Sequence, residues 1–500
     1  MFADRDLLSM QCARILAENA AEAQKRLAAF SQEQLDAAVE RAADAVIARG
    51  RELAVMSWED TDCGRWEDKL AELRFVCRCV RGALRGMRCV GPLRCDEAGN
   101  VLEIGVPRGV IAAVCPSTSP VATAVYKALL AIKSGNAIIF SLHPRAIRCM
   151  SRALDLIITA ATAAGLPEST ISYLDAPTRE GTNELMRHPA VGLVMLTGVQ
   201  GMLRDAESAA KPLICGAAGN GPAFIERTAD VRQAVKDIVF SKTFDCGMAP
   251  SAEQCVVVDG VIADEVRQVF RQEGAWFMSE KEARALAGIL FRTDGRPRRD
   301  MVGIEACQLA LRAGFEVPAD TRLLIAERQY VSDTDAYFKE MLCPVLAWYV
   351  EDDWMHACEK CIELLLFNRT GHTLVIHSRD AEVIRQFALK KPVARLLVNT
   401  PACLGGMGAT TDLFPAMTLG SGVAGHGMTS DNVSPMNLVY IRRVGYGTHS
   451  ADSLFHGAED TSSAAPAASN AAGTDGSASP ERLGSVLRAV IRALSDPEQN

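Results

Sequence analysis

Residues 109–142, GVIAAVCPSTSPVATAVYKALLAIKSGNAIIFSL, decide the fold. "GVIAAV" is a short apolar run rich in β-branched side chains, Val121–Lys133 is long enough for a helix, and "NAIIFSL" is again a short apolar run. A strand, a crossover helix and a second apolar strand make a βαβ unit, whose strands run parallel and are buried on both faces. The alternation continues with a helix from about Arg145 to Ala164 and strands at "ISYLD" and "GLVMLT". The expected class is α/β, with a mostly parallel, doubly wound sheet of the kind that forms nucleotide-binding domains.

A second alternating series begins after Ala223, with a helix near Val231–Ser241 and strands at "QCVVVDG", "RLLIAE", "HTLVIHS" and "RLLVNT". It predicts a second Rossmann-like domain. Upstream, Asp4–Arg49 is helical in pattern: Leu7, Leu8, Ala13, Ile15 and Leu16, then Leu35, Val39, Ala42 and Val46, recur at helical spacing, with Ser31 as an N-cap. Between Arg88 and Val106, two β-type runs flank the polar "CDEAGN", which reads as a hairpin.

A chain of 500 residues with 49% hydrophobic content fits two or three packed domains. The net charge of -8 gives no general attraction to phosphate backbones, so nucleic acid is not an expected partner. No secretory leader and no run of about 18 apolar residues is present, so a cytoplasmic protein without a membrane span is expected. The 16 cysteines are scattered and read as small buried residues. Cys77 with Cys79, and Cys358 with Cys361, lack a second ligand pair, so no metal site is expected; "DDWMHACEKCIELLLF" reads instead as an amphipathic helix.

After about Val444 the composition shifts. Thr461–Pro480 contains no Leu, Ile, Val, Met or aromatic residue and reads as a flexible linker. Beyond it, Ser479 caps and Pro480 opens a helix on which Leu483, Val486, Leu487, Val490, Ile491 and Leu494 form an apolar stripe, with Arg482, Arg488 and Arg492 elsewhere. Three surfaces could cover that stripe: the protein's own domains, a membrane surface, or a partner's groove.

The chemistry-bearing stretch is Ser241–Gln254, "SKTFDCGMAPSAEQ". It resembles the nucleophile loop of the CoA-acylating aldehyde dehydrogenases. The blocks "GRWEDK", "PRGVIAAVCPSTSP", "AIKSGNAIIFSLHPRA", "LMRHPAVGLVMLTGVQGM", "KPLICGAAGNGPAFI", "KEMLCPVL", "GHTLVIH" and "VNTPACLGGMG" resemble the same family in order. The resemblance implies the reaction of an aldehyde, coenzyme A and NAD to acyl-CoA and NADH. A cysteine thiolate attacks the aldehyde, hydride leaves to the nicotinamide, and coenzyme A takes the acyl group. Hydrolytic relatives carry a glutamate base in an E-L-G-G segment; Gly216 stands in that slot, which favours the acylating branch.

Laid on the family pattern, the nucleophile slot falls on Pro250, which has neither a thiol nor a backbone N–H. The oxyanion asparagine corresponds to Ser119. Cys246 lies four residues early, a span of roughly 13 Å on an extended loop, too far for attack without rebuilding the loop. For the cofactor, the resemblance assigns Ser141, His143 and Pro144 to the adenosine side and Thr197, Gly198 and Gly201 to the pyrophosphate and nicotinamide turn, where Val199 replaces a usual glycine. It assigns Glu340 to the nicotinamide ribose. The literal G-x-G-x-x-G at Gly420–Gly425 precedes "HGMTSDN" rather than a helix and reads as a loop near the substrate end.

The resemblance divides the chain into residues 1–220, the N-terminal helices and NAD-binding domain with an oligomerisation hairpin near 88–106; 221–415, the catalytic-type domain; 416–450, a C-terminal oligomerisation and active-site segment; 451–480, the linker; and 481–500, the terminal helix. The tail is similar to the encapsulation peptides of bacterial microcompartments. It implies shell proteins or other cargo as partners through residues 481–500, a place in the lumen, and self or paralogous subunits for the body. Two functions are compatible with these residues. One is a microcompartment cargo protein of this family whose thioester chemistry is lost at Pro250 and Ser119. The alternative is an active short-chain enzyme that uses Cys246 as a relocated nucleophile.

Overall fold

The computed structural model describes residues 4–96, 100–216, 218–293, 295–368 and 371–451. The linker and terminal helix expected within 452–500 lie outside the described residues. Four helices open the chain, Arg5–Leu27, Gln32–Ile47, Gly50–Thr61 and Trp66–Phe75. Ser31 caps the second in a reciprocal capping box with Gln34, as its position before "QEQLDAAV" predicts.

The hairpin forms from β1 (Gly91–Cys95) and β2 (Val101–Pro107), paired antiparallel. Next come β3 (Val110–Val114), β4 (Ile138–Ser141), β5 (Ile171–Leu174), β6 (Val191–Thr197) and β7 (Leu213–Gly216). They make a five-stranded, all-parallel sheet in the order β5-β4-β3-β6-β7. The crossover helix between β3 and β4 runs Pro120–Lys133 and is buried along its whole length, which is why it is apolar all round. Proline at its first position suits a helix start, where the missing N–H costs nothing.

The second sheet contains β8 (Gly221–Ile225), β9 (Glu253–Asp259), β10 (Ala275–Phe277), β11 (Leu323–Glu327), β12 (Val345–Glu351), β13 (Thr373–His377) and β14 (Arg395–Val398). All seven strands are parallel, in the order β10-β11-β12-β9-β8-β13-β14. Alternation puts Phe224, Val257 and Leu324 in the core on one face and Ala223, Val256, Val258 and Trp348 in the core on the other. The sequence reading marks β9, β11, β13 and β14 but passes over β8, β10 and β12. β10 has three residues, and β8 opens on Gly221-Pro222, which reads as a turn.

One strand crosses an expected boundary. β15 (Val439–Gly445), from the segment placed apart at 416–450, pairs along β2 and turns the hairpin into a three-stranded sheet. Among the described residues, no helix is long and apolar enough to cross a membrane, and no cluster of His, Cys, Asp and Glu could hold a metal ion.

Candidate active site

In the first sheet the strand order reverses at β3 and β6, so the loops leaving their carboxyl ends diverge and open a crevice. The buried Lys127, on the crossover helix, pins that end. Its ammonium donates to the carbonyls of Val114 (2.7 Å) and Met195 (3.0 Å), one from each strand. Beyond the strands come Pro116–Ser119 and Thr197–Gly198. Gly198 has φ 65° and lies against Pro116, whose Cβ would be 3.0 Å from any Cβ added there, so glycine is required. Val199, in the slot of a lost glycine, has an ordinary φ of -115° and needs none.

The segment before β9 closes the crevice from the second sheet. It is not the extended loop that the sequence reading assumed. Phe244–Gly247 wind into a tight turn in which Asp245 (φ 45°) and Cys246 (φ 53°) are both left-handed. Phe244, Ala252 and Cys403 pack together beneath it. At its tip, the Pro250 carbonyl would be 1.5 Å from a Cβ on residue 219, so only glycine fits at Gly219.

Pro250 and Ser119, from different sheets, face one cavity of about 60 Å³, together with Thr197, Gly198, Ser251 and His372. No cysteine is among the residues that line it. Cys246 lines a different cavity, of about 300 Å³, with Arg65, Thr243, Glu305 and Cys307. Burial pushes its thiol up to about 12, the neighbouring Asp245 adding to the effect, so the sulfur is a protonated thiol at neutral pH. The tight turn thus aims residues 246 and 250 into separate cavities.

Two groups of this cavity escape the sequence reading. Glu72, on the helix Trp66–Phe75, is buried, and its Oε1 accepts a hydrogen bond from Ser119 Oγ at 2.8 Å. Burial lifts its pKa to about 8, with Asp245 adding and Lys69 opposing. Lys69, one turn away, donates to Asp245 Oδ2 at 2.9 Å and to the Thr118 carbonyl at 2.8 Å. Burial pulls the Lys69 pKa down, but Asp245 and Glu72 overcome this and the net shift is upward. Asp245 Oδ1 also accepts the Arg65 N–H, and Asp68 accepts the Asp245 N–H. "GRWEDKLAE" therefore clamps the turn that carries residues 245–250. Its charges read as a solvated helix face because burial by a segment some 180 positions away leaves no local trace.

His372 is the other missed group. It immediately precedes β13, and burial, with Arg395 adding, lowers its ring to about 3, so it is neutral. Its Nδ1 shares a hydrogen bond with Thr373 Oγ1 at 2.8 Å. The "GHTLVIH" block was the signal that could have singled it out.

Of the residues that the resemblance assigned to cofactor, Thr197 and Gly198 line the cavity. Ser141 Oγ shares a hydrogen bond with Thr182 Oγ1 at 2.7 Å, and burial, with Arg145 and Arg299, lowers His143 to about 4. Pro144 and Gly201 are exposed at the same end of the sheet, and nothing lies within 4 Å of where a Gly201 side chain would start. This open approach at the strand-order reversal suits a nucleotide. Glu340 is half-buried and does not line the cavity; its Oε1 accepts the Gly219 N–H at 2.7 Å, and desolvation raises its pKa to about 7.

Two doubly wound parallel sheets, a cleft between them closed by a loop ahead of a central strand, and a nucleotide-type crevice define a dehydrogenase-type α/β protein. The chain belongs to the aldehyde dehydrogenase family, which matches residues 6–277. The chain spans less than half the length of the first curated relatives it matches: it is 37% identical to the bifunctional aldehyde-alcohol dehydrogenase AdhE of Escherichia coli over 75% of this chain and 42% of that one. It is 31% identical to the succinate-semialdehyde dehydrogenase (acetylating) of Clostridium kluyveri, over 86% of this chain and 95% of the relative. A crystal structure of a probable aldehyde dehydrogenase from Listeria monocytogenes is 44% identical, with a TM-score of 0.89 over 90% of this chain and 100% of that chain. A propionaldehyde dehydrogenase from the fucose utilisation microcompartment of Clostridium phytofermentans is 26% identical, with a TM-score of 0.79 over 86% of this chain and 96% of that one.

Proposed function

We propose that this chain is a cargo protein of a bacterial microcompartment, of the CoA-acylating branch of the aldehyde dehydrogenase family, in which cysteine-based thioester chemistry is absent or severely impaired. The observation that carries this reading is the shared cavity of Pro250 and Ser119, which offers no thiol. Both positions that the family uses to attack the aldehyde and to hold its oxyanion are changed, and they are changed in one place. NAD and coenzyme A remain the cofactors that the crevice suits: Thr197, Gly198 and the open surface at Gly201 and Pro144 would receive NAD, which supplies hydride acceptance when bound. The half-exposed β1-β2-β15 sheet is the surface proposed for self or paralogous subunits.

Wild-type protein incubated with propionaldehyde, coenzyme A and NAD is expected to form no NADH above the rate without enzyme, and Cys246→Ala to behave identically. Robust turnover that Cys246→Ala abolishes would establish the alternative, a relocated nucleophile.

The cargo role rests on the apolar stripe of residues 481–500 and on its polar tether. Deletion of residues 480–500 is expected to leave the thermal transition of the body unchanged while abolishing co-purification with shell proteins. A deletion variant that unfolds would mean that this segment docks on the protein's own domains.

A further inference from the structure

Ser119 occupies the N-cap of a fourteen-residue helix, yet its side chain caps no helical N–H. An N-cap serine normally spends its oxygen on the second or third N–H of the helix. Here the hydroxyl is turned to Glu72, which accepts its proton at 2.8 Å within the cavity. The N–H groups of Val121 and Ala122, in the first turn of that helix, have no acceptor among the described residues. A hydroxyl, a carboxylate touching it, and a helix start whose first backbone donors are free are the parts of an acyl-transfer centre.

We propose that Ser119 and Glu72 form such a centre, Ser119 Oγ attacking the carbonyl of short-chain acyl esters and thioesters while the Glu72 carboxylate takes its proton. This inference rests on the reading of the cavity as an acyl site, but it needs no nicotinamide. Attack forms the Oγ–C bond and moves the carbonyl electron pair to oxygen, where the helix N–H groups can receive it. Collapse breaks the bond to the leaving group, and the proton held on Glu72 passes to the departing thiolate or alkoxide. Water, deprotonated by Glu72, then cleaves the acyl-serine to the free acid and restores both residues. No electrons are gained or lost overall. A cavity of about 60 Å³ suits a short acyl group. Lys69, bound to the Thr118 carbonyl, positions the segment that carries Ser119. Ser251 also lines the cavity, but its hydroxyl donates to the Cys403 carbonyl and has no base.

The test uses the full chain with p-nitrophenyl acetate and with acetyl-CoA, without NAD. Both are expected to be cleaved above the buffer rate; Ser119→Ala abolishes cleavage, and Glu72→Gln lowers it about 100-fold or more, the usual contribution of a general base. A fluorophosphonate is expected to label the tryptic peptide that carries Ser119, and Ser119→Cys to transfer labelling to iodoacetamide. The rate should rise about tenfold per pH unit and level off above about 8, because Glu72 must be ionised. Lys69, Asp68, Asp245, Cys403 and the neutral His372 are the ionisable groups around it. Label on Ser251, unlabelled Ser119 in folded protein, or cleavage retained by Ser119→Ala would overturn the proposal. NADH formation and cofactor-free acyl release are separate readouts, so this inference and the one above can fail independently.

Discussion

Cysteine at 250 together with asparagine at 119 will switch on NADH formation from propionaldehyde and coenzyme A. Pro250→Cys supplies the missing thiol and also a backbone N–H that proline cannot give. By itself it should yield slow turnover, because the serine hydroxyl opposite is short and already committed to Glu72. Ser119→Asn extends an amide into the cavity; Glu72 can accept one of its N–H groups and leave the other for the oxyanion. One such donor is worth about 10²–10³ in rate, which is the expected advantage of the double variant over Pro250→Cys alone. The measurement is NADH absorbance with purified full-length variants whose thermal transitions match the wild type. A folded double variant that forms no NADH would show that the impairment lies outside these two positions.

The second large effect falls on stability. Lys69→Met is expected to cost about 3–5 kcal/mol, because it leaves Asp245 buried without its cation, whereas the intact pair lies at 2.9 Å with side chains 3% and 2% exposed. Removing both charges should cost less than removing one, since a buried pair replaced by apolar side chains of similar volume is often neutral. The urea midpoints of Lys69→Met, Asp245→Leu and the double variant measure this coupling as a cycle. A loss below about 1 kcal/mol for Lys69→Met would mean that the turn at 244–247 holds itself. The same substitution should loosen the segment carrying Pro250, because the Lys69–Asp245 pair is one of the bonds, with those of Arg65 and Asp68, that tie it to the helix Trp66–Phe75.

Much of the scaffold was legible. The βαβ pattern of residues 109–142 yields β3, the buried helix and β4 within a residue or two, and the second alternating series locates half of its sheet. Among the pieces that escaped were the three residues of β10, the Gly-Pro start of β8, the seven residues of β12, and β15, whose pairing with β2 joins positions more than 300 apart. For the site, Pro250, Ser119, Thr197 and Gly198 were all named and all meet at one cavity. Glu72, Lys69 and His372 were not singled out. Charged residues on an amphipathic helix look solvated until other segments cover them, and here the folded turn at Phe244–Gly247 and the segment at Thr118 cover Lys69.

By itself, the sequence determined the α/β class, the family, and the absence of a thiol at position 250, because periodicity and residue identity are local properties of the chain. The tertiary structure alone decided which groups face one another. It turned Cys246 away from Pro250 through two left-handed residues, buried a lysine against an aspartate, and swung the Ser119 hydroxyl off its helix onto Glu72. Those outcomes depend on contacts between distant segments and on the desolvation that the contacts impose, and neither is encoded in any single window of sequence.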